Sequence, residues 1–333
     1  MPSACRPPAR SSLSNKASGF LESAAPPADM CFVQLFETQS QENRFAGFPI
    51  LVGGEFQDQR NTTTERLCKL PLFNTFALQM LSVSLDSDSA LEETEALFKA
   101  DPALAADLLQ IANSVEFGLA SRVGTIRHAL TILGLERVRS LVMTIAMHLY
   151  MRQGPRHSHT QAVWAHCFAT AVIAEEVARA TKQPDSMLYT AGLLHDVGRL
   201  GLLMTSTEKY SRLFSVPFLD VAEANAVESG VLGFDHCEAG LVLAQEWGLP
   251  EDLQRCIRYH HSGPPAGDDH VVSSTRIACR MADALGFWEF MVNEPDDPVS
   301  AGKVLPESYR KLRALAPERL NDLIVKQMAT VWK

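Results

Sequence analysis

Hydrophobic positions in this chain settle into helical spacing from about residue 70 onward. Leu72, Phe76, Leu78, Met80, Leu81 and Val83 predict a first helix, and Ser89 to Ala100 an acidic second one. Asp101-Pro102 sets a capping carboxylate before a proline at the first helical position, which starts a third helix running to about Asn113. Thr125 caps TIRHALTIL, Gly134 ends it, and ERVRSLVMTIAMHLY begins at once. Short helices joined by tight turns predict an antiparallel or angular bundle up to about Arg152.

The polar stretch QGPRHSHT, residues 153–160, reads as a hinge. Beyond it the pattern predicts helices at roughly 161–181, 185–204, 219–232, 236–247, 251–261 and 271–287, separated by Pro184, Pro217, Gly233, Pro250 and the HSGPPAGDD loop. A Pro-rich acidic connection, NEPDDP, leads to an amphipathic helix near Glu318 to Trp332. Residues 1–30 are rich in Pro, Ser and Ala without sustained periodicity and are expected to be disordered; Met1 and Met30 both stand as possible starts. CFVQLFE and FPILVGGEF, within Cys31–Phe56, look extended, with Gly53-Gly54 turning the chain, and QDQRNTTTER reads as a linker. The expected organisation is all-α: a disordered segment 1–30, an arm and linker 31–68, an N-terminal helical bundle 69–152 packed on a second helical subdomain 153–290, and a connection and helix 291–333. No internal repeat of fixed period emerges.

Composition narrows the functional classes. With 46% hydrophobic residues and mean hydropathy near zero, the chain of 333 residues has material for a full core. A net charge of −9 and a pI of about 5.6 give no global field toward nucleic acid or anionic membrane. Seven scattered cysteines without a CxxC pair suit reduced thiols, and no apolar run approaches membrane-spanning length, so a soluble cytoplasmic protein is expected.

The chemistry gathers in the second helical half. In YTAGLLHDVGRLGLL, residues 189–203, His195 and Asp196 interrupt a run that is apolar around nearly the whole helix circumference and therefore buried. A buried ionised Asp costs several kcal/mol unless it is paired or ligates a metal. Taken alone, the pair reads more readily as a hydrogen-bonded core pair that fixes a helix packing. His166 in VWAHCFATA, His236 in FDHCEAG, His260-His261 in RYHHSG and Asp283 in RMADALG add further metal-competent groups, each on or at the end of a predicted apolar helix. Imidazoles mixed with carboxylates and lacking thiolate spacing suit Zn, Mn, Fe or Ni. A set of this size could hold one or two ions, with Asp196 placed to bridge, and a two-ion site could activate water and neutralise a phosphoryl group. Arg199, four residues after His195, could reach a phosphate or carboxylate on the same face, or could be an ordinary salt-bridged Arg.

The order H…HD…H…HH…D resembles the HD superfamily of metal-dependent phosphohydrolases, and GLLHDVGRLGLL resembles its central motif. More closely, the chain from about Leu70 to Gly286 resembles the HDOD family of bacterial signalling output domains, through KLPLFNTF, DPALAADLLQIANS, TIRHALTILGLERVRSL and FDHCEAGLVLAQEWGLPEDLQRCIRYHH. The resemblance implies an N-terminal helical subdomain packed on an HD-like one, usually working as a regulatory module. Members often lose metal ligands, whereas this chain keeps the set. The similar HD-GYP phosphodiesterases follow the paired His with Glu and a GYP segment and carry Lys at the position of Arg199; here SGPPAGDD follows His261. The first reading is thus a bacterial signalling module acting on a protein partner of its pathway or on a nucleotide-type small ligand, with no membrane partner. The second is a metal-dependent phosphohydrolase or phosphodiesterase acting on a nucleotide or cyclic dinucleotide, with His166, His195, Asp196, His236, His260, His261 and Asp283 as ligands, and Asp196 and Arg199 as the catalytic pair. A third, nucleic-acid binding through the locally basic TIRHALTILGLERVRSL, is disfavoured by the acidic balance.

Overall fold

The computed structural model describes residues 48, 51, 53–113, 122–155, 158–182, 187–218, 220–262, 269–287 and 304–331. The expectations for residues 1–30, for CFVQLFE and for NEPDDP fall outside these. Contacts divide the chain after Phe48, and every helix named below belongs to the unit Pro49–Lys333. The fold is all-α, with no β-strand among the described residues.

The anticipated N-terminal bundle is present as α2 (Thr75–Ser82), α3 (Ala90–Ala100), α4 (Pro102–Ala112), α5 (Ile126–Leu133) and α6 (Leu135–Met151). Side-chain caps set three of the starts. Asn74 accepts the Ala77 N–H, Asp101 those of Ala103 and Leu104, and Thr125 that of His128. Each such cap is worth about 1 kcal/mol. Gly134 takes φ of 80°, which lets α5 stop and α6 begin with this glycine as the single residue between them. Met80, Phe98, Leu108, Leu130 and Val138 form the core of this bundle.

The stretch 57–66 expected as a linker is instead most of helix α1 (Gly54–Leu67). Its sequence lacks an apolar stripe because its anchors are largely polar. Arg60 reaches both carboxylate oxygens of Glu238, at 3.0 and 3.2 Å, and the Gly233 carbonyl at 3.0 Å; its guanidinium covers the Phe234 ring. Thr63 donates to the Leu232 carbonyl, and Leu67 is buried. Such contacts are invisible to a periodicity argument.

The second half is built on α7 (Ser158–Thr181), whose residues Val163–Ala174 are almost wholly buried. The helix expected at 185–204 divides into α8 (Leu188–Leu194) and α9 (Val197–Thr205), with His195 and Asp196 at the break. A helix not anticipated, α10 (Thr207–Leu213), follows. Then come α11 (Val221–Leu232), α12 (His236–Glu246), α13 (Glu251–Tyr259) and α14 (His270–Ala284). A short α15 (Glu307–Arg310), a 3-10 turn and α16 (Pro317–Val331) close the chain. Arg319 of α16 binds buried Glu176 of α7 at 2.8 Å, which ties the last helix onto the central one.

Glycines set how closely the helices around the His-Asp break approach. A Cβ on Gly192 would lie 2.7 Å from the Ala171 Cα, so α8 rests directly on the α7 backbone. A Cβ on Gly198 would lie 1.9 Å from the His236 carbonyl and 2.5 Å from the Gly240 N, so α9 and α12 cross backbone to backbone. Among the described residues no helix is long and apolar enough to cross a membrane. No disulfide joins Cys68, Cys167, Cys237, Cys256 and Cys279, the described cysteines.

Because the contact at Gly198 is with backbone, which cannot swing aside, Gly198→Ala should destabilise the fold by about 3 kcal/mol or more. Gly54→Ala meets nothing within 4 Å and should stay within about 0.5 kcal/mol of wild type. Urea denaturation of both variants checks the contrast.

Candidate metal centre

Four helix segments deliver imidazoles to one buried point. His166 comes from the middle of α7, His195 from the break between α8 and α9, His236 from the first position of α12, and His260 from the cap of α13. Asp196 stands at the N-cap of α9 yet makes no side-chain capping bond, because its carboxylate is turned toward the histidines. Its Oδ1 lies 3.2 Å from His236 Nε2 and 3.3 Å from His260 Nε2. Its Oδ2 lies 3.3 Å from His195 Nε2 and 3.7 Å from His166 Nε2, and those two Nε2 atoms are 3.2 Å apart. Asp196, His195, His236 and His260 are each no more than 1% exposed.

The outer nitrogens decide what the inner ones carry. His166 Nδ1 is 2.7 Å from the Phe287 carbonyl, His195 Nδ1 2.8 Å from that of Gly192, and His260 Nδ1 3.0 Å from that of Ile257. His236 Nδ1 is 2.7 Å from Glu228 Oε2. Carbonyls only accept, and the Glu228 carboxyl, pulled below its usual range by His236 and Arg199 against the effect of burial, accepts as well. Each Nδ1 therefore bears a proton, and a ring that carries only that proton turns an Nε2 lone pair inward. In His166 and His260 burial drives the imidazolium form out, holding the first down to about 3 and the second to about 4. Asp196 is itself held well below the carboxylate range, since the attraction of His195, Arg199 and His236 outweighs burial.

Four Nε2 atoms and a carboxylate thus face one another in a buried space, and Asp196 Oδ1 and His260 Nε2 lack hydrogen-bond partners. With each ring carrying only its Nδ1 proton, such a nest repels itself unless a cation occupies it. The spacing fits one: at a tetrahedral ion with ordinary zinc bond lengths, neighbouring N and O ligands sit about 3.3 Å apart. The donor set, neutral imidazole plus carboxylate, fits as well. Asp196 divides the nest into two lobes, Oδ2 with His166 and His195, and Oδ1 with His236 and His260.

The other expected site residues lie at the margin. The His261 ring packs 4.0 Å from that of His260 and 5.0 Å from that of His236, and it belongs to the second lobe's set of close donor atoms. Asp283 sits behind His166, its Oδ1 3.3 Å from Nδ1, and is absent from the described sets of mutually close donors. Partial burial and the like charge of Asp196 push its carboxyl up to about 7. Arg199 is buried. Its Nε lies 3.3 Å from Asp196 Oδ2, and Nη1 donates to Glu228 Oε1 at 2.8 Å and to the Tyr210 hydroxyl at 3.2 Å.

Glu228 was not anticipated. It accepts from the His236 backbone N–H and ring, from Arg199 and from the Tyr210 hydroxyl, all at 2.7–2.8 Å. A lone Glu inside the apolar run VESGVL was its one signal, of the same kind that marked Asp196.

The profile of the HDOD domain matches residues 70–263, and the chain belongs to the HDOD domain family. It is 26% identical over 216 residues to an uncharacterized protein of Treponema pallidum (strain Nichols), covering 64% of this chain and 42% of that one, so it spans about two fifths of that relative's length. Its fold is similar to that of an HDOD domain protein of unknown function from Geobacter sulfurreducens, with TM-score 0.64 and 23% identity over 83% of this chain and 96% of that one. It is also similar to a proposed signal transduction protein from Marinobacter aquaeolei VT8, with TM-score 0.63 and 19% identity over 84% of this chain and 66% of that one.

Two stability measurements test the centre. Glu228→Gln weakens the anchor of His236 and leaves the buried charge of Arg199 short of its partner, and it should cost about 3–5 kcal/mol in urea unfolding. Acidification should weaken the metal-stripped chain. Unfolded histidine takes a proton near about 6.5, whereas His260 in the fold waits until about 4. The unfolded state therefore binds more protons in that window, and stability, complete above it, falls as pH drops through it. His260→Gln should flatten the slope by up to about 1.4 kcal/mol per pH unit, read from urea midpoints between about pH 7 and about pH 4.5.

Proposed function

We propose that this chain is a signalling module whose HD-like half carries a divalent metal, one or two ions of the Zn, Fe, Mn or Ni type, and which acts by binding a protein partner or a small nucleotide-type ligand in the cytoplasm. The observation that carries the reading is the set of four Nδ1 atoms committed to outside acceptors, which turns four Nε2 atoms toward Asp196. His166, His195, Asp196, His236 and His260 would hold the metal, with His261 and Asp283 at its edge. When bound, it would neutralise Asp196 and could supply Lewis acidity toward a phosphoryl oxygen.

The engagement of Arg199 favours the regulatory reading. Its guanidinium is spent on Glu228, Tyr210 and Asp196 rather than held out for a substrate phosphate. The basic stretch 125–141 likewise offers little to nucleic acid, since Arg127 pairs with Glu92 and Glu95 and Arg139 is buried. One observation favours hydrolysis as a second reading: Asp196 presents one oxygen to each lobe, as a two-ion phosphohydrolase centre needs. There Asp196 would bridge and Arg199 would position it.

Elemental analysis of the purified chain beside His195→Ala and Asp196→Asn tests the proposal, with circular dichroism to confirm folding. We expect stoichiometric metal in the wild type, lost in both variants. Fully folded wild type that takes up no divalent metal would overturn it. Metal without turnover of bis(p-nitrophenyl) phosphate supports the regulatory reading, and turnover abolished in the variants establishes the hydrolase instead.

A further inference from the structure

The donors at the centre are not limited to imidazole and carboxylate. Cys237 follows His236 on the first turn of α12, and its Sγ lies 3.4 Å from His236 Nε2. Cys279, on α14, places Sγ 3.6 Å from His166 Nε2. Both thiols are 2% exposed. They fall on opposite sides of Asp196. Cys279 joins His166 and His195, while Cys237 joins His236, His260 and His261, and within each set the donor atoms lie within 4.8 Å of one another. Cys68, Cys167 and Cys256 belong to neither set.

The distances fit coordination. At a tetrahedral ion bonded to imidazole nitrogen at about 2.0–2.1 Å and to sulfur at about 2.3 Å, the N to S edge is about 3.6 Å. In the metal-free chain each S–H can donate to the same inward lone pair, so the thiol proton occupies the direction an ion would take. Binding would form a sulfur–metal bond and release that proton to solvent.

We propose that Cys237 and Cys279 are metal ligands, one for each lobe, and that they select borderline ions such as Zn2+ and Co2+ over Mn2+ and Mg2+. This rests on the metal reading above and narrows it. Thiolate is a soft donor that Mn2+ and Mg2+ bind poorly, whereas an imidazole and carboxylate set alone would accept Mn2+ readily. It also gives the two cysteines a task that neither their spacing nor a core role supplies.

The test uses the full chain, stripped with a chelator under reducing conditions and reloaded with Zn2+ or Co2+. X-ray absorption at the zinc edge on the unmodified protein should show a sulfur shell at about 2.3 Å beside the nitrogen and oxygen shell. The cobalt form should show a near-ultraviolet thiolate-to-metal charge-transfer band. Cys237→Ser and Cys279→Ser should each remove about half of that band and the double variant all of it, while the visible cobalt bands persist and Cys68→Ser changes nothing. Metal uptake with no sulfur shell and no charge-transfer band would overturn the assignment of the thiols and leave the histidine centre standing. Failure to take up either metal would overturn both.

Discussion

The carboxylate of Asp196 is buried among four imidazole Nε2 atoms, and much of the second half of the fold is arranged around that charge. A carboxylate out of water costs several kcal/mol unless its surroundings replace the lost hydration. Here the surroundings of that charge form two tiers. Arg199 lies against Oδ2 at 3.3 Å, and the histidines ring the rest. Behind them, Phe287, Gly192, Ile257 and Glu228 take the Nδ1 protons, which keeps the inner nitrogens free to act as ligands. Glu228 is the pivot of the outer tier, since it holds both a histidine and the arginine that touches Asp196.

This arrangement needs helix ends at close quarters. Asp196 and His195 sit where one helix stops and another starts, His236 at the start of α12, and His260 just past the end of α13. Helix ends have spare backbone groups, and the Gly192 and Ile257 carbonyls become acceptors for the rings three residues on. Gly192 and Gly198 bring the helix axes near enough for the rings to meet. Helix α1 braces the start of α12 through Arg60 and Glu238, so a segment outside the HD-like half holds the helix that carries His236. The centre is therefore built on rigid elements, the condition for precise donor geometry.

Membership of the HDOD family and a retained donor set meet in this chain. The family likeness accounts for the helical bundle ahead of the HD-like half. The donor geometry concerns a different level, the chemistry of one buried point, and the two are compatible because a metal can stabilise a regulatory fold without turning over a substrate. What an arginine at position 199 does follows from its neighbours: with Glu228 at 2.8 Å and Tyr210 at 3.2 Å, it serves the interior.

The amino-acid pattern alone determined the helical class, the caps at Asp101 and Thr125, the stop at Gly134, and the five histidines and Asp196 as metal-competent groups that the fold brings close together. Those features are local: a cap needs only its own first turn, and a polar group in an apolar run is visible in a single segment. The helical state of residues 57–66, the break at His195, and the roles of Glu228, Cys237 and Cys279 were decided by tertiary structure. Arg60 has its partners more than 170 residues away, and Cys279 meets His166 across 113 residues. The tautomer of each ring, and hence the direction of its lone pair, depends on an acceptor that packing supplies, which no spacing along the chain encodes.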